Sequence, residues 1–271
     1  DFENNCNLTE SIGITSTDGA TVIVKQAFPA LCSHSADGSA LLDVLAGDGP
    51  FAFLWPDGQI TPEGTNLAKG TYNVSVTDHN GCVVVQAVDI TAPDKLDVSA
   101  IEIKEPNCHG DCNGKIKVAA SGGSGSYNFV WSGQRGEEAL NLCAGTHTVE
   151  VADENGCIEQ KTFQLGQPEI LQVHLISRQL PLCHGDCDGE MQAEAFGGNG
   201  SYRFTWSSGS TMPIAADICS GDHAITVTDQ KNCRIKRTFN LGQPEKLQVR
   251  LNRKSDPVCH NGCDGKLEIQ A

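Results

Sequence analysis

Short runs of alternating apolar and polar residues fill this chain. Lys115-Ile116-Lys117-Val118-Ala119, Tyr127-Asn128-Phe129-Val130-Trp131 and His147-Thr148-Val149-Glu150-Val151 all show it, as do Gln160 to Leu165 and Leu171 to Leu175. A period of two with β-branched and aromatic residues predicts half-buried strands. Turn residues separate the runs: Gly122-Gly123-Ser124-Gly125, Gly145-Thr146 and Asp153-Glu154-Asn155-Gly156. No segment carries a sustained helical stripe, and the best candidate, Glu137 to Leu142, is too short to matter. The longest apolar stretches are a few residues, as at Val83 to Val85, so no transmembrane helix fits.

The cysteines turn this pattern into a repeat. Cys6, Cys82, Cys157 and Cys233 are spaced by 76, 75 and 76 residues, and so are Cys32, Cys108, Cys183 and Cys259. Trp55, Trp131 and Trp206 each follow their cysteine by 23 residues, and Cys108-His109-Gly110-Asp111-Cys112 recurs as Cys183 to Cys187. A fixed period marks an array. The expected division is 1–17 as the last strand of a preceding repeat, then repeats at 18–93, 94–168 and 169–244, with 245–271 opening another. Six or seven strands in about 75 residues predict an all-β fold, a tandem array of small disulfide-stapled, immunoglobulin-like β-sandwiches. Cores that thin are often stapled.

The register also yields expected pairs. The first repeat has Ala36 and Ala68 where the second has Cys112 and Cys143 and the third Cys187 and Cys219. Joint loss of two cysteines is expected of bonded partners, which gives Cys112–Cys143 and Cys187–Cys219. Cys32–Cys82, Cys108–Cys157 and Cys183–Cys233 then follow within each repeat. Cys6, Cys259 and Cys263 are left to partners outside the fragment. With these pairs, an unfolding repeat lengthens only by its 26 residues between clasps, roughly 90 Å. The linker Gly166-Gln167-Pro168-Glu169 is short and stiffened by proline, so a semi-rigid rod is expected.

Composition narrows the function. Of 271 residues, 19 are Lys or Arg and 34 Asp or Glu, a net charge of −15, which excludes a phosphate-neutralising nucleic-acid binder. Thirteen cysteines in such an array point to an oxidising compartment. No nucleophile, base and acid can be assembled from the spacing, so no enzyme and no cofactor is expected. Cys108-x3-Cys112 with His109 resembles half a zinc site, but the first repeat lacks the second thiol. Asp186-Cys187-Asp188-Gly189 and Asp153-x-Asn155-Gly156 fit either a calcium loop or an ordinary turn. Tyr127, Tyr202 and Phe51 are candidates for sugar contact or for packing.

The string from Gly122 through Trp131 to Gly133, the run Leu142 to Val151 and the close Asp153-Glu154-Asn155-Gly156-Cys157 resemble the SprB repeat of very large cell-surface adhesins of gliding Bacteroidota. The third repeat matches at Gly197 to Trp206, Gly221 to Val227 and Asp229 to Cys233; the first matches at Gly70 to Val76 and Asp78 to Cys82. His147 and His223 stand where that pattern has Tyr. The resemblance implies a secreted, outer-membrane-attached surface filament exported by the type IX system. It implies a structural shaft for gliding and attachment that passes force, with two alternatives: a directly adhesive glycan-binding module, or spacer repeats of a secreted enzyme. The implied partners are a substratum or surface polysaccharide, reached through other parts of a longer chain, and the gliding and secretion machinery. No nucleic acid is expected, and the chain is not expected to span a membrane.

Overall fold

The computed structural model describes residues 19–261 and 263–271. In the first sandwich, β1 (Thr21–Phe28), β2 (Gly38–Ala46) and β4 (Glu63–Leu67) form one antiparallel sheet in the order β1-β2-β4. β3 (Ala52–Leu54), β5 (Gly70–Thr77) and β6 (Val83–Ile90) form the other, in the order β3-β5-β6. The first, second and fourth strands on one side and the third and last two on the other are the immunoglobulin-like arrangement. Alternation drives it. Val74 and Val76 of β5 point inward and are buried with Trp55, Leu67, Val88 and Ile90, while Val83 and Val85 of β6 face out.

The second sandwich repeats the plan. β7 (Asp97–Lys104), β8 (Gly114–Ser121) and β11 (Glu138–Leu142) make one sheet. β9 (Asn128–Trp131), a short β10 (Gln134–Arg135), β12 (Gly145–Ala152) and β13 (Ile158–Leu165) make the other. In the third, β14 (Glu169–Gln179), β15 (Gly189–Gly198) and β17 (Ile214–Ile218) face β16 (Arg203–Trp206), β18 (Gly221–Thr228) and β19 (Arg234–Leu241). Their shared core holds Val173, Met191, Trp206, Ile225 and Val227. A last pair, β20 (Arg250–Ser255) and β21 (Lys266–Gln270), stands as a two-stranded sheet.

The chain divides into two compact units, and the division falls across the strands of the second sandwich. One unit holds residues 19–101, Val118–Glu137 and Thr148–Thr162; the other holds Glu102–Lys117, Glu138–His147 and Phe163–Ala271. Among the described residues no helix is long and apolar enough to cross a membrane.

Strand direction decides which cysteines can meet. The β1–β2 loop, which carries Cys32, lies beside the far end of β6: Ala30 N donates to Thr91 O at 2.9 Å, and a Cβ on Gly38 would sit 2.7 Å from Ile90 Cγ2. Cys82 lies at the near end of β6, in the β5–β6 turn, where Thr77 pairs with Val83. Eight residues of strand separate the two ends, about 26 Å. A disulfide spans Cα atoms of only about 4.4–6.8 Å.

Candidate functional site

Four disulfides join described cysteines, and two of them clasp neighbouring sandwiches. Cys32 of the first is bonded to Cys157 of the second, and Cys108 of the second to Cys233 of the third, each across 125 residues. These replace the expected Cys32–Cys82, Cys108–Cys157 and Cys183–Cys233 pairs, because within one sandwich the loop and the turn lie at opposite ends. Cys82 and Cys183 carry exposed free thiols, as do Cys259 and Cys263. The other two bonds, Cys112–Cys143 and Cys187–Cys219, lie inside single sandwiches, across 31 and 32 residues. Cys6 lies outside the described residues.

Each clasp is a loop of one sandwich laid on a turn of the next. On the loop side, a side-chain oxygen fixes the backbone just ahead of the cysteine. Leu31 N donates to Asp37 Oδ1 at 2.9 Å, Asn107 N to Asn113 Oδ1 at 2.8 Å and Leu182 N to Asp188 Oδ1 at 3.0 Å. Hydrogen bonds from Ser35 and from the Leu31 amide hold the Asp37 carboxyl below its ordinary range. The loop is also tied to its own exit linker. Gly110 N donates to Gln167 Oε1 at 2.8 Å, and His109 Nδ1 lies 3.0 Å from Pro168 O. A carbonyl only accepts, so Nδ1 carries the proton. His184 and Gly185 repeat this on Pro244 and Gln243, at 3.1 and 2.9 Å. The recurring His-Gly and Gln-Pro pairs are therefore the two halves of one latch.

On the turn side, a buried aspartate organises the hairpin. Asp78, Asp153 and Asp229 are 9%, 7% and 4% exposed. Asp229 Oδ1 accepts from Lys231 N and Cys233 N at 2.8 and 2.9 Å, while Oδ2 accepts from Asn199 N and Asn199 Nδ2 at 2.8 and 2.9 Å. Burial opposes its charge, yet the hydrogen bonds from Asn199, Cys233 and Lys231 prevail and hold its carboxyl below the usual range. Asp153 accepts from Cys157 N and Ser124 N, both at 2.8 Å. These turns spend their carboxylate oxygens on backbone amides, as a structural turn does. Among the described residues no three His, Cys, Asp or Glu side chains gather into a metal site.

Across each clasp, hydrogen bonds flank the disulfide. Asn155 Nδ2 donates to Leu31 O at 2.9 Å beside Cys32–Cys157. Asn199 Nδ2 donates to Asn107 O at 2.8 Å beside Cys108–Cys233. Cys108 also packs against the core of the third sandwich. Sequence spacing located all of these cysteines but not this partnership.

The remaining candidate residues have local work. Tyr127 and Tyr202 donate their hydroxyls to Gly122 O and Gly197 O at 2.6 and 2.7 Å, closing the glycine loops. Phe51 packs against the first core. Trp55, Trp131 and Trp206 are buried, each donating Nε1–H to a carbonyl five or six residues on. His147 and His223 place Nε2 2.9 and 2.8 Å from Cys143 O and Cys219 O, where Tyr72 donates its hydroxyl to Ala68 O at 3.1 Å.

The family model described as SprB repeat matches residues 100–135 and 181–211. Comparison with curated proteins gives no match. Among solved structures, the chain is similar to the three N-terminal domains of the Highly Immunogenic Outer Capsid protein of bacteriophage RB49, with 11% identity, 85% of this chain and 100% of that one covered, and a TM-score of 0.36. It is similar to the N-terminal eight Ig domains of Down Syndrome Cell Adhesion Molecule, with 10% identity, 86% and 44% covered and a TM-score of 0.35. It is also similar to a C-terminal 282-residue fragment of intimin, with 15% identity, 59% and 67% covered and a TM-score of 0.30.

Proposed function

We propose that this chain, which carries SprB repeats at 100–135 and 181–211, is a load-bearing segment of an extracellular adhesin. The disulfide-rich sandwiches fit a surface protein. The finer reading is a tether for gliding and attachment, exported by the type IX system and held at the outer membrane. It meets a substratum or surface polysaccharide through other parts of a longer protein.

The observation that carries this reading is a covalent short cut. From Cys32 the path crosses a disulfide to Cys157 and follows 14 residues back to Cys143. It then crosses to Cys112, follows four residues to Cys108 and crosses again to Cys233. About 18 residue steps therefore join points that are 201 apart along the chain. Fully drawn out, that path measures roughly 60 Å plus three bridges, against roughly 700 Å for the open chain. Load passes through sulfur bridges even if every sandwich unfolds. No catalysis is assigned to the segment.

Single-molecule pulling on the whole chain tests this. The oxidised chain is expected to reach a contour roughly 600 Å shorter than the reduced chain. Equal contours before and after reduction defeat the tether reading.

A further inference from the structure

Cys183 and the β20–β21 sheet are two unfilled halves of one arrangement that the chain completes elsewhere. The Cys183 loop has the build of the two bonded loops. Asp186 N donates to Cys183 O at 3.2 Å, as Asp111 N does to Cys108 O at 3.1 Å and Ser35 N to Cys32 O at 3.2 Å. The Asp188 bond to Leu182 and the His184–Gly185 latch repeat as well. Cys183 nevertheless keeps an exposed thiol.

The second half is apolar. Leu247, Val249, Leu267 and Ile269 stand 76 residues after Leu171, Val173, Met191 and Ala193. The earlier four are buried, at 7% exposure or less; the later four are 59–77% exposed. In the third sandwich, the sheet β16-β18-β19 covers the earlier four. The β18–β19 turn of that same sheet carries Cys233, which closes on the preceding loop at Cys108. One sheet thus buries a face and supplies a thiol.

We propose that Cys183 is the socket for the turn cysteine of the sheet that covers β20 and β21, the rest of the sandwich those two strands open. The clasp then continues from repeat to repeat, with Cys82 as the turn half that enters the loop of a repeat before it. Bond formation takes two protons and two electrons from the two thiols; a small disulfide such as oxidised glutathione accepts them and leaves as two thiols. This deepens the tether reading but stands apart from it, since its failure leaves the path between Cys32 and Cys233 intact.

The test extends the whole chain beyond Ala271 with a second copy of residues 196–244, refolds it with reduced and oxidised glutathione, and maps its disulfides. The expected result is loss of alkylation at Cys183 and a peptide joining it to the copied Cys233, alongside a bond from Cys263 to the copied Cys219. If the Cys263 bond forms while Cys183 still alkylates, the proposal fails. It fails equally if the copied Cys233 joins Cys259, or if Cys183 bonds Cys82 of another molecule. A second extension with a copy of residues 121–168 guards against misfolding of the first. If neither extension protects Cys183, the proposal is overturned.

Discussion

Asp229 shows how one buried carboxylate sets the position of a disulfide cysteine four residues away. Four hydrogen bonds converge on it, and removing the carboxylate takes this acceptor from the amides of Asn199, Lys231 and Cys233. Asp229→Ala should cost about 2–3 kcal/mol, read as a lower denaturant midpoint for the third sandwich. The pH dependence follows from the depressed carboxyl. Its stabilisation is complete above the unfolded value, near 4, and is lost as pH falls through the lower folded value. Thermal melts should stay level from neutrality to about pH 4 and drop below it, with a weaker drop in Asp229→Ala. His147 is the opposite case. Its ring does what the Tyr72 hydroxyl does, so His147→Tyr should change stability by no more than about 0.5 kcal/mol; a larger loss would separate the two roles. The departure at that position was visible in the sequence. Its harmlessness needed the carbonyl four residues back to be in reach.

At the scale of elements, the glycine-rich end of β15 tolerates little. Gly197 has φ +74°, and a Cβ there would overlap the Ile170 carbonyl. Gly197→Ala should cost about 1–3 kcal/mol, measured by the same denaturant midpoint. The inner staple is not needed for the strand pairing it closes. In the first sandwich, where Ala36 and Ala68 replace the cysteines, Gly38 of β2 still pairs with Leu67 of β4, as Gly114 pairs with Leu142. The double variant Cys112→Ala, Cys143→Ala should therefore keep its fold and lose about 3–4 kcal/mol through loop entropy; circular dichroism showing loss of strand content would contradict this. Strands and turns were legible because alternation and glycine-rich punctuation are local signals. β10, two residues long, leaves no such signal.

At the scale of the molecule, the repeat period and the inner staples were legible, but the partners across repeats were not. Both cysteine series share one period, so bonding within a repeat and bonding to the next repeat leave identical spacings. The deciding quantity is strand direction, and an alternating pattern reads the same whichever way the strand runs. Once β6 places Cys82 about 26 Å from the Cys32 loop, only a neighbour can supply the thiol. Each 125-residue loop so closed restricts the unfolded chain by about 5 kcal/mol, and because the loops overlap they do not add in full. A map of disulfide-linked peptides from unreduced, alkylated protein addresses the pairing directly. The account predicts Cys32 joined to Cys157 and Cys108 joined to Cys233, with Cys82 and Cys183 alkylated. Peptides joining Cys32 to Cys82 and Cys108 to Cys157 would contradict it.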